Sequence, residues 1–249
     1  MSQVRYASIN IERSKHLDTV IAFLREYQPE VFAVQELFQR DIARLEQELE
    51  STCIFAPMGL HPDDDEACTP TQIGVAFFSR LPLIESHVKY YHGGSEEALH
   101  GVPMEKLIDR PIVSIQVEKE NVPFRFVTTH FTWTPNGMAD DTQRRDIVAL
   151  MALLEAEKEF VFSGDLNAPR GGEIFAKLAE KYKDNIPPQY LTSIDVDLHR
   201  AGKTHPEQLA DKMVDGLFST PEYAVSDAAL HSGISDHMAI TATITHSVY

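Results

Sequence analysis

Acidic, amide and imidazole side chains recur beside the apolar segments that predict β-strands. The set comprises Asn10, Glu36, His130, Asp165, Asn167, Asp215, Asp236 and His237. Burying such groups beside strands costs free energy unless they find partners, so their repeated placement requires a reason. If one end of a sheet structure brings them together, the oxygens can bind a hard cation and the imidazoles can transfer protons. The pattern predicts an oxygen-rich metal site with acid–base chemistry.

Taken one at a time, these residues have simpler interpretations. Gly, Asp and Asn favour turns, so residues 164–167 (GDLN) also fit a tight turn. His130 lies in a threonine-rich run and fits a hydrogen-bonded histidine of the core. Asp236, between Ser235 and His237, fits a local turn in which its carboxylate accepts from backbone N–H groups. Turn chemistry explains each piece, but it does not explain the order of the whole set.

The elements that must position this set alternate between strands and helices near both ends of the chain. Apolar spacing and turn residues predict strands at 4–11, 31–37, 73–79, 83–91, 111–117, 124–131, 160–163, 213–219, 223–226 and 238–245. They predict helices at 14–27, 42–49, 140–157 and 173–182, the first capped by Ser14. Surface or irregular loops are expected at 61–70, 92–107 and 185–211, and loops of this length shape substrate clefts.

Strand–helix units at both ends, flanking a central run of strands, indicate the fold class. Two mixed β-sheets packed face to face, with helices outside, satisfy every apolar face, so we expect a four-layer α/β sandwich. No linker rich in Pro, Gly or Ser divides the chain, and no repeat is visible. We therefore expect a single domain over residues 1–249.

The composition narrows the class of protein. The 249 residues include 22 Lys and Arg against 38 Asp and Glu, and the net charge of −16 argues against a basic coat for polyanions, although it allows a local cationic cleft. The two cysteines match no zinc-ligand or disulfide pattern, which favours a reducing interior. With no secretory leader and no apolar run of about 18 residues, we expect a cytoplasmic monomer that does not bind membranes.

The order of the motifs resembles the endonuclease/exonuclease/phosphatase superfamily over almost the whole chain. That superfamily includes pancreatic-type deoxyribonuclease, abasic-site endonucleases, tyrosyl-DNA phosphodiesterases, sphingomyelinases and inositol-phosphate phosphatases. The matching motifs are SINIE (8–12), VFAVQEL (31–37), IGVAFFSR (73–80), DRPIVSIQV (109–117), VTTHFTW (127–133), FSGDLNAP (162–169), MVDGLFS (213–219) and ISDHMAI (234–240). The resemblance implies the four-layer sandwich and metal-dependent hydrolysis of a phosphoester.

The resemblance also implies a metal site. Glu36 matches the family's principal Mg²⁺ ligand and Asn10 its first-strand asparagine, while Asp236 either binds metal or fixes that end of the site. Glu12 stands where several members carry an acid near the metal. Carboxylates and carboxamides without a thiolate suit Mg²⁺, with Mn²⁺ as a substitute, better than they suit Zn²⁺.

Catalytic roles follow from the same resemblance. Asp165 matches the acid that orients or activates water, and Asn167 matches the carboxamide that holds the scissile phosphate. His237 matches the histidine that contacts phosphate, and Asp215 matches the carboxylate that holds its tautomer and raises its pKa. His130 occupies the position of a second histidine in deoxyribonuclease-like members.

Four features depart from the family pattern or extend it. The stretch that supplies an acid partner for the first histidine of pancreatic-type deoxyribonuclease offers only Gln72 here. Arg110 precedes a strand aimed at the site, and because a guanidinium suits phosphate we expect it to clamp the substrate phosphate. Trp133 fits either stacking on a base or leaving group, or packing beneath its loop. The segment 193–205, with two Asp and two His, is interpreted as a solvated lid and not as a second metal site.

Together these observations predict a Mg²⁺-dependent phosphoester hydrolase in which water attacks phosphorus in line with the leaving oxygen. His130 favours a phosphodiesterase or nuclease, whereas the acidic composition favours a phosphomonoesterase acting on a small soluble ester. The alternative from another class is a catalytically silent binding or scaffold protein with the same fold. The expected partner is a phosphoester (nucleic acid, nucleotide or small phosphate ester), and the sequence indicates no protein partner.

Overall fold

Runs of apolar and β-branched residues form twelve strands in the part of the chain that the computed structural model describes, which is residues 2–62, 70–94 and 109–247. The strands are β1 (Gln3–Asn10), β2 (Val31–Phe38), β3 (Thr52–Pro62), β4 (Pro70–Ser79), β5 (Leu83–His92), β6 (Arg110–Lys119), β7 (Val122–His130), β8 (Val161–Asp165), β9 (Lys183–Asp184), β10 (Asp215–Ser219), β11 (Tyr223–His231) and β12 (Ala239–His246). The α-helices are α1 (Leu17–Tyr27), α2 (Ile42–Leu49), α3 (Asp141–Glu157) and α4 (Glu173–Ala179).

The strands pair into two six-stranded sheets. The first sheet has the order β11-β12-β1-β2-β4-β3, and the second has the order β5-β6-β7-β8-β10-β9. Each sheet contains one parallel pair, β1 with β2 and β7 with β8, because α1 and α3 return the chain to the starting end of the sheet. The remaining pairs are antiparallel, so both sheets are mixed.

The inner faces of the two sheets share one apolar core. Tyr6 of β1 and Phe126 of β7 stack across it with ring centroids 5.1 Å apart. On the outer faces, apolar residues of α1 and α2 cover the first sheet, and those of α3 and α4 cover the second. The layers therefore run helix, sheet, sheet, helix, which confirms the four-layer α/β sandwich predicted from the sequence.

Two buried hydrogen bonds cross between the sheets close to the candidate site. The hydroxyl groups of Tyr6 and Ser163 lie 2.5 Å apart, and Gln35 Nε2 donates to Thr128 Oγ1 at 3.1 Å. Three of these residues stand one or two positions from Glu36, His130 or Asp165 in the chain. Since buried polar groups must be paired, these bonds help to fix the offset of one sheet against the other.

The run 61–70, expected to be a loop, instead contains the end of β3 and the first residue of β4. Residues 63–69 within it lie outside the described part. β3 escaped prediction because Pro57 and Gly59 argue against a strand interior. β3 is an edge strand, and its register shifts between these two residues, so a bulge accommodates both.

The first helix begins later than predicted. Leu17 is its first residue, and His16 occupies the N-cap position without a side-chain capping bond. Ser14 Oγ donates instead to Asp41 Oδ2 at 2.5 Å. The predicted cap therefore links the start of α1 to the turn before α2, because a partner distant in sequence competes for its hydroxyl.

The other two predicted loops are the runs 92–107 and 185–211. Residues 95–107 of the run 92–107 lie outside the described part. The run 185–211 is irregular, as expected, apart from a short 3₁₀ turn at Pro206–Gln208 and an isolated antiparallel bridge between Ile194 and His237. Among the described helices, none combines the length and apolar character needed to cross a membrane.

The hydroxyl pair between the sheets yields a stability prediction. Tyr6→Phe leaves the buried Ser163 hydroxyl without this partner, so we expect the free energy of unfolding to fall by about 1–3 kcal/mol. The double variant Tyr6→Phe/Ser163→Ala should lose less than the sum of the single losses, because neither group is then left unpaired. Urea unfolding measures all three variants, and strictly additive losses would show that the two hydroxyls do not interact.

Candidate active site

Strand register brings three site residues of the second sheet side by side. His130 pairs with Asp165 across β7 and β8, and Asp165 pairs with Asp215 across β8 and β10. Residues directly opposite each other in neighbouring strands project from the same face. All three are buried, and the carboxylate of Asp165 lies in the middle.

The first sheet contributes Asn10 and Glu36. Asn10 ends β1, where it pairs with Gln35 of β2. The register between β2 and β4 shifts between Val34 and Leu37, and Glu36 within that shift has a φ of 56°. This left-handed conformation is costly for a glutamate, and the bulge redirects its side chain out of the ladder towards a cleft that it lines.

The Asn10 carboxamide joins the two sheets at the site. Its Nδ2 donates to Glu36 Oε1 at 3.2 Å and to Asp165 Oδ2 at 3.1 Å. Its Oδ1 accepts from the backbone N–H of Glu12 at 3.1 Å. Asn10 therefore orients one carboxylate from each sheet, and the second lone pair of its oxygen is available to a cation.

His237 forms a buried pair with Asp215. Its Nδ1 donates to Asp215 Oδ2 at 2.7 Å, and its Nε2 lies 3.8 Å from Asp165 Oδ2. Burial alone would lower the pKa of His237. The negative charges of Asp215, Asp165 and Asp236, with the hydrogen bond to Asp215, outweigh burial and raise its pKa well above the ordinary value. His237 is therefore held as an imidazolium.

His130 has the opposite electrostatics. Its Nε2 lies 3.4 Å from Asp165 Oδ2 and 4.0 Å from Glu36 Oε1. Burial, followed by the positive charges of Arg110 and His237, lowers the pKa of His130 well below the ordinary value. Two imidazoles on either side of Asp165 are therefore in different protonation states at neutral pH.

Arg110 lies behind the site, not in the cleft. It is only 6% exposed, and its Nη1 donates to the backbone carbonyl of His130 at 3.2 Å. Burial lowers the pKa of Arg110, although the charges of Asp165 and Glu36 act in the opposite direction. This position does not favour the predicted phosphate clamp. Arg110 instead binds the end of β7 through the His130 carbonyl, and its positive charge disfavours protonation of the His130 ring.

Asp165 ends β8, and a compact turn leads directly from it to Asn167. Burial, opposed by the charge of His237 and then reinforced by that of Asp215, raises the pKa of Asp165 to about 7. Asp165 Oδ1 accepts from the backbone N–H of Asn167 at 2.8 Å, and Asn167 has a φ of 49°, which asparagine tolerates well. Asn167 Nδ2 donates to the carbonyl of Phe131 at 3.0 Å, so one amide hydrogen remains for a ligand.

The start of the segment 193–205 braces the site, a role that the sequence interpretation missed. Ser193 Oγ accepts from the backbone N–H of Asp215 at 3.0 Å, and the N–H of Asp195 donates to the carbonyl of Asp236 at 2.9 Å. The buried Asp195 carboxylate also accepts from the N–H groups two and three positions on, at 3.0 and 3.2 Å. An aspartate in an irregular run commonly makes such bonds, and this was the available signal.

A cleft of about 800 Å³ opens over the cluster. The predicted site residues that line it are Glu36, Asp165, Asn167, Asp236 and His237. Other residues on its walls are Trp133, His199, Arg200 and Lys212. The segment expected to be a solvated lid therefore contributes one wall of the cleft. Asn10, His130 and Asp215 stand behind the lining and act on it through their hydrogen bonds and charges.

The donor set fits a hard divalent cation. Asp165, Asp215 and His237 each offer a ligand atom, and these atoms lie within 4.8 Å of one another. Nδ1 of His237 is already bonded to Asp215, however, which suits an acid–base pair better than metal ligation. Glu36 lies on the cleft wall, where burial and then the charge of Asp236 raise its pKa. Carboxylates that share a cleft in this way suit Mg²⁺, which prefers oxygen ligands.

The two mixed sheets and the acid–imidazole cluster at the ends of their inner strands define a class of protein that includes hydrolases of phosphoester bonds. The chain belongs to the endonuclease/exonuclease/phosphatase family, whose sequence model matches residues 7–237. No curated protein sequence matches it significantly.

Solved structures from several organisms share the fold. An endonuclease/exonuclease/phosphatase from Beutenbergia cavernae is 17% identical, with a TM-score of 0.75 over 99% of this chain and 72% of that one. TDP2 of D. rerio, complexed with single strand DNA product, is 16% identical, with a TM-score of 0.69 over 98% and 100%. A mannosyl-6-phosphatase of Bacteroides thetaiotaomicron is 11% identical, with a TM-score of 0.66 over 97% and 99%.

The pairing of His237 with Asp215 predicts how the ring titrates. In metal-free protein we expect the imidazolium signals of His237 in NMR to persist well above pH 6.5. In Asp215→Asn the charge that opposes burial is reduced, so the pKa of His237 should fall. Because the wild-type pKa is raised on folding, the pair stabilises the fold below pH 6.5, and this contribution is lost as the pH rises through the folded-state value. An unchanged titration in Asp215→Asn would contradict this account.

Proposed function

We propose that the protein is a Mg²⁺-dependent phosphodiesterase or nuclease. The observation that supports this most directly is the shared carboxylate of Asp165. Asn10, His130 and His237 approach its Oδ2 at 3.1, 3.4 and 3.8 Å, and Asn167 binds its other oxygen. A carboxylate so placed, beside one neutral and one protonated imidazole, suits the activation of water and the stabilisation of charge on a phosphoryl group.

Glu36 and Asp236 would hold the Mg²⁺ with Asn10 as a further oxygen donor. When bound, the ion supplies a positive charge that polarises a phosphoryl oxygen and offsets the negative charge of the cleft. It would also favour the ionised form of nearby carboxylates, including Asp165, whose pKa burial otherwise raises. The acid excess of the cleft is then the donor set for a cation and not a barrier to phosphate.

The chain's own side chains divide the remaining work. Asp165 would accept a hydrogen bond from the attacking water and orient its lone pair at phosphorus. The His237 imidazolium would donate Nε2–H to a phosphoryl oxygen, with Asp215 holding the ring. The spare amide hydrogen of Asn167 would hold a second oxygen, while His130 would orient Asp165. Arg110 takes part only through His130.

A phosphomonoesterase acting on a small phosphate ester is the second candidate. It is favoured by the acidic residues of the cleft beyond the core site, which are Glu12, Glu207 and Asp211. Arg13, Arg200 and Lys212 line the same cleft, so beyond the core site it carries no excess of positive charge with which to hold a long polyanion. The structurally similar mannosyl-6-phosphatase acts, by its name, on a small phosphate ester.

Two substitutions test the proposed activity. Glu36→Gln removes a charge from the metal site, and His237→Ala removes the proposed proton donor. We expect each to lower Mg²⁺-dependent hydrolysis of bis-p-nitrophenyl phosphate by about 100-fold or more. The release of p-nitrophenolate measures the rate, and EDTA should abolish it.

Glu85→Gln, at an exposed position on β5, is the matched control and should keep full activity. Full activity in Glu36→Gln or His237→Ala would refute the assigned roles. A wild-type protein that neither binds Mg²⁺ in calorimetry nor hydrolyses a panel of phosphodiesters and phosphomonoesters would instead be a silent binding or scaffold protein.

A further inference from the structure

The loop after β7 presents a single large aromatic ring at the cleft. Trp133 is 60% exposed and lines the cleft, although its neighbours Thr132 and Thr134 are buried. A tryptophan that packed beneath its loop would be buried, so the packing interpretation of Trp133 is wrong. An exposed indole in a cleft offers a flat apolar face to a ligand.

The backbone just before this ring is held in place by three hydrogen bonds. Thr132 Oγ1 donates to the buried carboxylate of Asp146 at 2.6 Å, and the Thr132 carbonyl accepts from Gln143 Nε2 at 2.7 Å. Asn167 Nδ2 binds the carbonyl of Phe131, two residues before Trp133. The indole therefore stands on a braced loop, and little conformational entropy is lost when a ligand contacts it.

Those same bonds tie the ring to the proposed chemistry. Asn167 contacts both Asp165 and the loop of Trp133, and Asn167 and the indole line the same cleft, so a phosphate held at Asn167 would lie beside the loop that carries the indole. His199 and Arg200 line the cleft with it. Nδ1 of His199 accepts from the backbone N–H of Ala201 at 3.1 Å, which places the proton of the neutral ring on Nε2.

We propose that Trp133 is a stacking platform for a planar group of the substrate, so that the preferred substrate is a phosphoester bearing one aromatic ring system, such as a nucleotide or aryl phosphoester. This inference rests on the proposed phosphoester activity and names its substrate class. A cleft of about 800 Å³ is of the size that holds a small ligand. Beyond the core site its lining carries no excess of positive charge to hold a long polyanion, and a single indole offers a face to one ring system.

Two ligands that differ only in the planar group test the proposal. AMP and ribose 5-phosphate share the sugar phosphate, and only AMP carries a base. With Mg²⁺ present, we expect calorimetry to show AMP binding at least about tenfold tighter than ribose 5-phosphate. Because the chain has one tryptophan, the tryptophan fluorescence reports on position 133 alone. We expect AMP to quench this fluorescence and ribose 5-phosphate to leave it unchanged.

The variants separate stacking from other effects. Trp133→Ala should weaken AMP about tenfold and leave ribose 5-phosphate unchanged, and Trp133→Phe should restore part of the loss. Met138→Ala removes an exposed apolar side chain of the same loop that does not line the cleft, so it should change neither affinity. Equal weakening of both ligands by Trp133→Ala, no weakening of either, or no binding of AMP to the wild type would overturn the proposal.

The binding test and the hydrolysis test fail independently. If wild-type protein prefers AMP through Trp133 but does not hydrolyse bis-p-nitrophenyl phosphate with Mg²⁺, the phosphodiesterase proposal fails and the stacking site stands. If hydrolysis occurs and Trp133→Ala leaves both affinities unchanged, the stacking site fails and the activity stands.

Discussion

The structure depends on keeping one carboxylate buried and partnered where the two sheets meet. Asp165 ends a central strand of the second sheet, and Asn10 reaches it from the first sheet at 3.1 Å. Burying an ionised carboxylate costs desolvation free energy, so the surrounding groups must stabilise its charge. They do so with hydrogen bonds from Asn10 and Asn167 and with the charge of His237. The turn at 165–167 and the approach of Asn10 from the other sheet both meet this requirement.

The electrostatic asymmetry of the site comes from what stands behind each imidazole. Asp215 backs His237 and stabilises its proton, whereas the guanidinium of Arg110 lies behind His130 and disfavours a second one. The chain therefore places a protonated ring and a neutral ring on either side of the same acid, with one buried charge of opposite sign behind each. Charges behind the cleft therefore add to the effect of burial on the pKa of His130 and outweigh the effect of burial on the pKa of His237.

The walls of the cleft are built differently from its floor. The floor consists of the residues at strand ends around Asp165, and strand register sets their spacing. The walls consist of irregular segments that are held by side-chain-to-backbone hydrogen bonds. Ser193 and Asp195 bind one wall to the residues around His237, and Asp146 and Gln143 bind the loop of Trp133 on the other. These bonds allow irregular backbone to present Trp133, His199 and Arg200 in fixed places.

The sequence was sufficient to predict the strand–helix alternation, the four-layer class and the set of polar residues at strand ends, because apolar periodicity and turn chemistry are local properties. It missed β3, since proline and glycine are acceptable only at an edge and edge position is set by tertiary pairing. Tertiary packing was needed to show that Arg110 is buried outside the cleft lining and that Ser193 bonds to Asp215. It was also needed to show that Trp133 is exposed while His130 is buried. These outcomes depend on register and on packing between residues far apart in the chain, and no local pattern carries that information.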